Sequence, residues 1–263
     1  MPGERSTQGS DSVADASRLE GADPEWIGGV KQGVLLGAAI LALTLPPFTH
    51  PSLNSPSPAP ASAYTQATNT RSHADFSGES ASAEARRLAD WVVRSGDNRQ
   101  LFFVLIDKKN TKVFVFDPSG KLTGATPVLI GAARGDDTVA GIGSRPIAEV
   151  APHERTTPAG RFTAEPGHNA SGEDVVWVDY AAKLAIHRLR PALPQERRAE
   201  RLNSATPDDK RISSGCVVVP VSFYEAVISP VLGKSYAVVY VLPETQPVQF
   251  MLKGLQSSLR QDQ

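Results

Sequence analysis

The sequence predicts a mostly β domain, a sandwich or barrel with short helices, preceded by a membrane-targeting segment and a disordered linker. Three observations predict it. Short runs of β-branched and aromatic residues recur between residues 101 and 242, with turn signals between them. The run Gly33–Leu45 is apolar and uncharged. Between it and the β pattern, Pro46, Pro47, Pro51, Pro56, Pro58 and Pro60 alternate with Ser, Thr, Ala and Asn, a composition that buries too little apolar surface to offset the entropy of ordering.

The elements follow in order. Residues 1–29 form a polar leader in which Glu4, Asp11, Asp15, Glu20, Asp23 and Glu25 outnumber Arg5 and Arg18, which leaves open a true start further on, near Val30. Residues 30–48 read as a signal peptide or an uncleaved signal anchor, with Lys31 as a positive flank. Residues 49–82 are the Pro/Ser/Ala-rich linker. Residues 83–96 predict a helix: Leu88, Trp91 and Val92 share one face, Ser80 or Ser82 caps it and Gly96 ends it.

Strands are expected over 101–106, 112–116 and 122–130, with turns at Asp107-Lys108-Lys109-Asn110 and Asp117-Pro118-Ser119-Gly120. Further strands are expected at 162–164, 175–179, 183–186, 217–219 and 236–242. His168 is placed in a turn after Pro166-Gly167. A helix is expected over 193–202, and a second over 222–228, capped by Ser222 with Glu225 three residues on. Residues 244–263 are read as a tail.

The chain has 263 residues, with 27 basic and 28 acidic side chains. This balance, without a basic run interleaved with aromatics, argues against a nucleic-acid partner. Cys216 is the single cysteine, so no intramolecular disulfide forms. It follows Ser213-Ser214-Gly215 and opens the run Val217-Val218-Val219, at a loop-to-strand junction. A nucleophile suits that place; a small buried hydrophobe is the other reading. A thiol nucleophile needs a base. Of His50, His73, His153, His168 and His187, only His187 ends an apolar strand, Lys183-Leu184-Ala185-Ile186-His187. A core histidine satisfied by a carbonyl is the alternative for it. A zinc site from His168, Asp174 and His187 lacks His-Glu-x-x-His spacing, and no Gly-x-Ser-x-Gly elbow is present.

Four pieces in order carry a resemblance. They are the hairpin 101–120, Thr156-Thr157-Pro158-Ala159-Gly160-Arg161-Phe162, Ala185-Ile186-His187, and Ser213-Ser214-Gly215-Cys216-Val217. Over residues 100–243 the chain resembles the L,D-transpeptidase family, whose catalytic domain has a YkuD-like β-sandwich or barrel. It looks like a diverged subgroup, with Ser-Ser-Gly-Cys where the family has Ser-His-Gly-Cys.

The resemblance implies an exported cysteine acyltransferase acting on peptidoglycan stem peptides. Cys216 would be the nucleophile and His187 the general base, oriented by the backbone carbonyl of Arg188. The amides around Ser214, Gly215 and Cys216 would form the oxyanion hole. Ser213 and Val218 would face substrate, and Thr157, Pro158 and Gly160 would fix a turn near the site. No metal or nucleotide cofactor is implied. The protein would act as a monomer in the periplasm or cell envelope, held to the cytoplasmic membrane if the N-terminal segment stays uncleaved.

Three departures bear on activity. Arg188 stands where the family usually has Gly or Ser, Ser214 replaces a histidine, and Val218 replaces Arg or Asn. The stretch 190–210 is an insertion that reads as a solvated helix or as a wall of the cleft. A catalytically degenerate wall-binding module is the second hypothesis.

Overall fold

The computed structural model describes residues 73–261. The leader, the targeting segment and the linker up to residue 72 lie outside the described residues. Among the described residues no helix is long and apolar enough to cross a membrane.

The protein is mostly β. Helix α1 (Ala83–Ser95) is followed by β1 (Phe103–Asp107), β2 (Lys112–Phe116), β3 (Leu122–Pro127) and the short β4 (Ile130–Gly131). After a long loop come β5 (Gly160–His168), β6 (Asp174–Asp179) and β7 (Leu184–Arg188). Helix α2 (Arg198–Asn203), β8 (Arg211–Ser213) and β9 (Val217–Val219) follow. The chain ends with α3 (residues 221–231), β10 (Ala237–Val241) and α4 (Val248–Gln261).

Eight strands form one sheet in the order β3-β2-β1-β10-β5-β6-β7-β9. The β1–β10 and β7–β9 pairs are parallel. The sheet curls back on itself. Leu129, just beyond β3 at one edge, exchanges both backbone hydrogen bonds with Val218 of β9 at the other, at 2.9 and 2.8 Å.

Strand alternation sorts side chains into two cores. Val104, Ile106, Val113, Val115, Val176, Ile186, Val217 and Val239 fill the interior of the curled sheet. Phe103, Leu105, Phe114, Phe116 and Tyr240 point outward and are covered by α1. Helix α1 forms as its sequence dictates. Ser82 Oγ accepts from Ala85 N at 3.0 Å, and Gly96 adopts the left-handed φ of 67° that ends it.

Several expectations are corrected. Residues 73–82 belong to the domain, not the linker: Phe76 is buried edge-on against Phe114 and Phe116, and Asp75 bridges to Lys121. A lone phenylalanine in a polar stretch has no periodicity to announce it. The tail carries α4, whose Met251, Leu252 and Leu255 pack on the outer core.

Pro166-Gly167 makes no turn. β5 runs through it to His168, which pairs with Asp174. β10 pairs only with residues 160–164, so Pro166 lies where one edge of β5 is free and a missing donor costs little. The helix over 221–231 starts one residue early, directly after Pro220, so Ser222 sits inside it and caps nothing. The helix expected over 193–202 is broken at Arg197, whose φ is 46°, into a single turn at Pro194–Glu196 and then α2.

Candidate active site

The site grows from the parallel pair β7–β9. Ile186 pairs with Val217 and His187 with Val218. Ile186 and Val217 point into the interior core, so alternation turns Ala185, His187, Cys216 and Val218 to the outer face. Cys216 therefore stands opposite Ala185, one diagonal step from His187. Diagonal partners on adjoining strands lie roughly 7–8 Å apart at Cα, within reach of a long side chain.

His187 is buried, 8% exposed. Its Nδ1 lies 2.8 Å from Arg188 O, which acts as the acceptor. That bond puts the proton on Nδ1 and leaves the Nε2 lone pair free to take another. Burial lowers its pKa from the usual 6.5 to about 4; the Arg188 carbonyl opposes this and Arg190 and Arg198 add to it. The imidazole is neutral at neutral pH.

Cys216 is partly exposed, but its Sγ lies against the backbone of β7 and bonds to Lys183 O at 3.3 Å. Burial of the sulfur raises its pKa; the Ala185 amide and Arg190 partly offset this. The resting pair is thus thiol and neutral imidazole, with Sγ turned to Lys183 O and the ring anchored on Arg188 O.

The loop before the cysteine is fixed from behind. Gly215 has φ 127°, which favours glycine, and a Cβ there would stand 2.8 Å from Thr156 O. Ser213 Oγ donates to Cys216 O at 2.6 Å and accepts from Gly215 N at 3.1 Å. Thr157 Oγ1 donates to Gly215 O at 2.7 Å and accepts from Gly131 N at 2.9 Å. Thr157 O in turn accepts from Lys108 Nζ at 2.8 Å.

Lys108 is wholly buried, and its ammonium also donates to Gly135 O at 2.5 Å and to Asp136 Oδ1 at 2.8 Å. Asp136 accepts from the amides of Glu244, Thr245 and Gln246 and is held well below the usual carboxylate range, its burial outweighed by the Lys108 and Thr245 bonds. Glu244 is paired with Arg211. No local pattern in the sequence marks these charges for burial.

Several site residues are placed differently from expectation. Ser213 is buried and braces the loop, so it offers no face to substrate. Its hydroxyl occupies the Gly215 amide, which removes that N–H from the expected oxyanion donors. Val218 is 1% exposed and packs with Leu129 and with Leu202 of α2. It is covered, not substrate-facing. The insertion 190–210 is therefore no free solvated helix at that point: α2 drops a leucine onto β9.

Ser214 is half-buried beside the cysteine. The Arg188 side chain reaches Asp174 at 2.5 Å and lies over the Tyr224 ring at 4.5 Å, so it braces the sheet while its carbonyl holds His187. Asp174 is thereby engaged, and no group of three His, Cys, Asp or Glu suited to a metal occurs among the described residues.

Neither a protein-family model nor a curated protein matches the chain. Solved structures do. One is the helical cell shape determining protein Pgp2 (K307A mutant) from Campylobacter jejuni: 13% identity, TM-score 0.38, with 63% of this chain and 58% of that one covered. A second is an L,D-transpeptidase from Xylanimonas cellulosilytica: 15% identity, TM-score 0.34, with 54% and 60% covered. A third is the catalytic domain of the Enterococcus faecium L,D-transpeptidase: 17% identity, TM-score 0.31, with 54% and 98% covered.

Several solved structures that this chain resembles are thus L,D-transpeptidases. The chain spans about three fifths of the length of the first two.

Proposed function

We propose that the protein is an exported cysteine acyltransferase acting on peptidoglycan stem peptides, cross-linking them or releasing the terminal D-amino acid. The observation that supports this reading most is the placement of Cys216 and His187 one diagonal step apart on the outer face of β7–β9, with the imidazole tautomer set by the Arg188 carbonyl. A β-sheet bearing a thiol at a glycine-shaped loop end, beside a histidine whose Nε2 is an acceptor, suits attack on a carbonyl.

In the proposed cycle substrate enters over Cys216 and Sγ leaves Lys183 O. The thiol proton passes to His187 Nε2 as sulfur attacks the carbonyl next to the terminal D-amino acid. The tetrahedral intermediate expels that amino acid's nitrogen, which takes the proton back, and a thioester remains. An amine from a second stem, or water, then releases the acyl group. A neutral imidazole with a pKa near 4 serves as acceptor only while the attack proceeds. Full activation therefore depends on substrate.

Incubating the protein with a disaccharide tetrapeptide and analysing the products by mass spectrometry tests this. Cross-linked dimer or tripeptide is expected from the native sequence and neither from Cys216→Ala. Equal product from both would refute it. Export rests on the apolar segment 30–48 and belongs to the same proposal.

A second reading, a non-catalytic wall-binding module, draws support from the raised thiol pKa and from Leu202 seated on Val218. Retention on purified sacculi without any acyl product would favour it.

A further inference from the structure

We propose that Thr157 is a positioning residue that aims the Cys216 amide at the oxyanion. This rests on the reading of Cys216 as an acyl-transfer nucleophile and deepens it. The argument starts from a planar trans peptide, in which C=O and N–H point in opposite directions. The peptide joining Gly215 to Cys216 carries the Gly215 oxygen at one end and the Cys216 N–H at the other. Thr157 Oγ1 holds that oxygen from the buried side at 2.7 Å, so the Cys216 N–H is turned away from the buried side.

The flanking peptides are committed elsewhere. Ser213 Oγ takes both the Gly215 N–H and the Cys216 carbonyl. Of the Gly215 and Cys216 amides, the Cys216 amide is thus the one that the loop presents, and the Thr157 hydroxyl is what fixes its direction.

The hydroxyl has one orientation to offer. Its lone pair receives the Gly131 amide at 2.9 Å, so its proton goes to Gly215 O. The Thr157 backbone is pinned in turn by Lys108 Nζ at 2.8 Å. Residues 155–157 thread between two glycines. A Cβ on Gly131 would come within 2.4 Å of Arg155 O, and one on Gly215 within 2.8 Å of Thr156 O. Close approach on both sides is what brings the threonine hydroxyl within bonding range of the cysteine loop.

Two reactions of the same sulfur separate positioning from mere structure. Acylation by p-nitrophenyl acetate forms an S–C bond to the carbonyl carbon, passes through a tetrahedral oxyanion and expels p-nitrophenolate; the thiol proton goes to solvent or to His187. Alkylation by iodoacetamide displaces iodide at a saturated carbon and forms no oxyanion. Thr157→Val keeps the shape and removes the hydroxyl; Thr157→Ser keeps the hydroxyl.

At about pH 9, Thr157→Val is expected to slow acylation of Cys216 by roughly 10–100-fold while alkylation changes less than about 3-fold; loss of a whole oxyanion donor costs about 100–1,000-fold and sets the upper limit. Thr157→Ser is expected to restore acylation.

Equal loss in both reactions, or no loss in either, would overturn the proposal. So would failure of Thr157→Ser to restore acylation. Because neither probe contains a stem peptide, this result stands apart from the substrate reading. If Thr157→Val does not fold, the ratio of acylation to alkylation in Thr157→Ser against Thr157→Ala decides in the same way.

Discussion

Replacing His187 with asparagine removes a titrating group but keeps an N–H where Nδ1 donates to Arg188 O. Burial lowers the folded pKa of His187 from 6.5 to about 4, and the unfolded chain keeps the ordinary value. Between these two values the unfolded chain binds more protons than the folded one. Stability is therefore fully present above about pH 6.5 and is lost as pH falls towards 4.

At about pH 4.5 the unfolded imidazole is nearly all protonated while the folded one is mostly neutral. The difference comes to a loss of about 2 kcal/mol relative to pH 7. His187 is well buried, so solvent screening takes little from this figure.

The assay is urea unfolding of both proteins at the two pH values. The carboxylates titrate alike in each and cancel in the comparison. The native sequence is expected to lose about 2 kcal/mol more than His187→Asn on acidification. Equal losses would refute the argument, because they would mean that the imidazole is solvated, or charged and paired, in the folded state.

Other outcomes follow from the same geometry. Because burial raises the Cys216 thiol, its alkylation rate with iodoacetamide is expected to climb steadily through about pH 9; a plateau at pH 5–7 would reveal a resting thiolate–imidazolium pair and contradict the neutral one. Lys108→Met strands Asp136 in the interior without its cation. It is expected to cost about 3–5 kcal/mol by urea unfolding, and a cost under about 1 kcal/mol would contradict a closed network. Leu202→Ala is expected to cost about 2 kcal/mol, the low end for a buried leucine, because its cluster is small; it should also raise the exposure of Val218 to solvent, read by faster exchange of the Val218 amide. Unchanged exchange would mean that α2 is no cover.

Much of the scaffold was legible because its signals are local. The runs 103–107, 112–116, 217–219 and 237–241 are dense in β-branched and aromatic residues. Asp117-Pro118-Ser119-Gly120 supplies a turn whose Asp117 carboxylate accepts from Ser119 and Lys121. The parallel pairing of β7 with β9 was not legible, nor was the register that sets His187 beside Val218 and so one step from Cys216. Such pairing depends on contacts far apart in sequence.

The misreadings share that cause. The resemblance implied that Ser213 and Val218 face substrate, but alternation and packing decide which neighbours face the cleft. Ser213 turns under the loop, and Val218 meets a leucine sixteen positions earlier. The insertion's role depended on Leu202, one apolar residue among charges. Lys108 lies in an expected turn and Glu244 in the expected tail, and nothing local in the sequence marks either, or Asp136, for burial. Phe76 lay in a stretch whose composition argues for disorder, and only the Phe114 and Phe116 rings opposite give it a place.

The most direct test is the intact mass of the protein during incubation with a tetrapeptide stem. A thioester is expected as a mass gain equal to the tetrapeptide less its terminal D-amino acid, mapped to Cys216 and absent from Cys216→Ala. An unmodified Cys216 while product accumulates, or an adduct on another residue, would contradict the account.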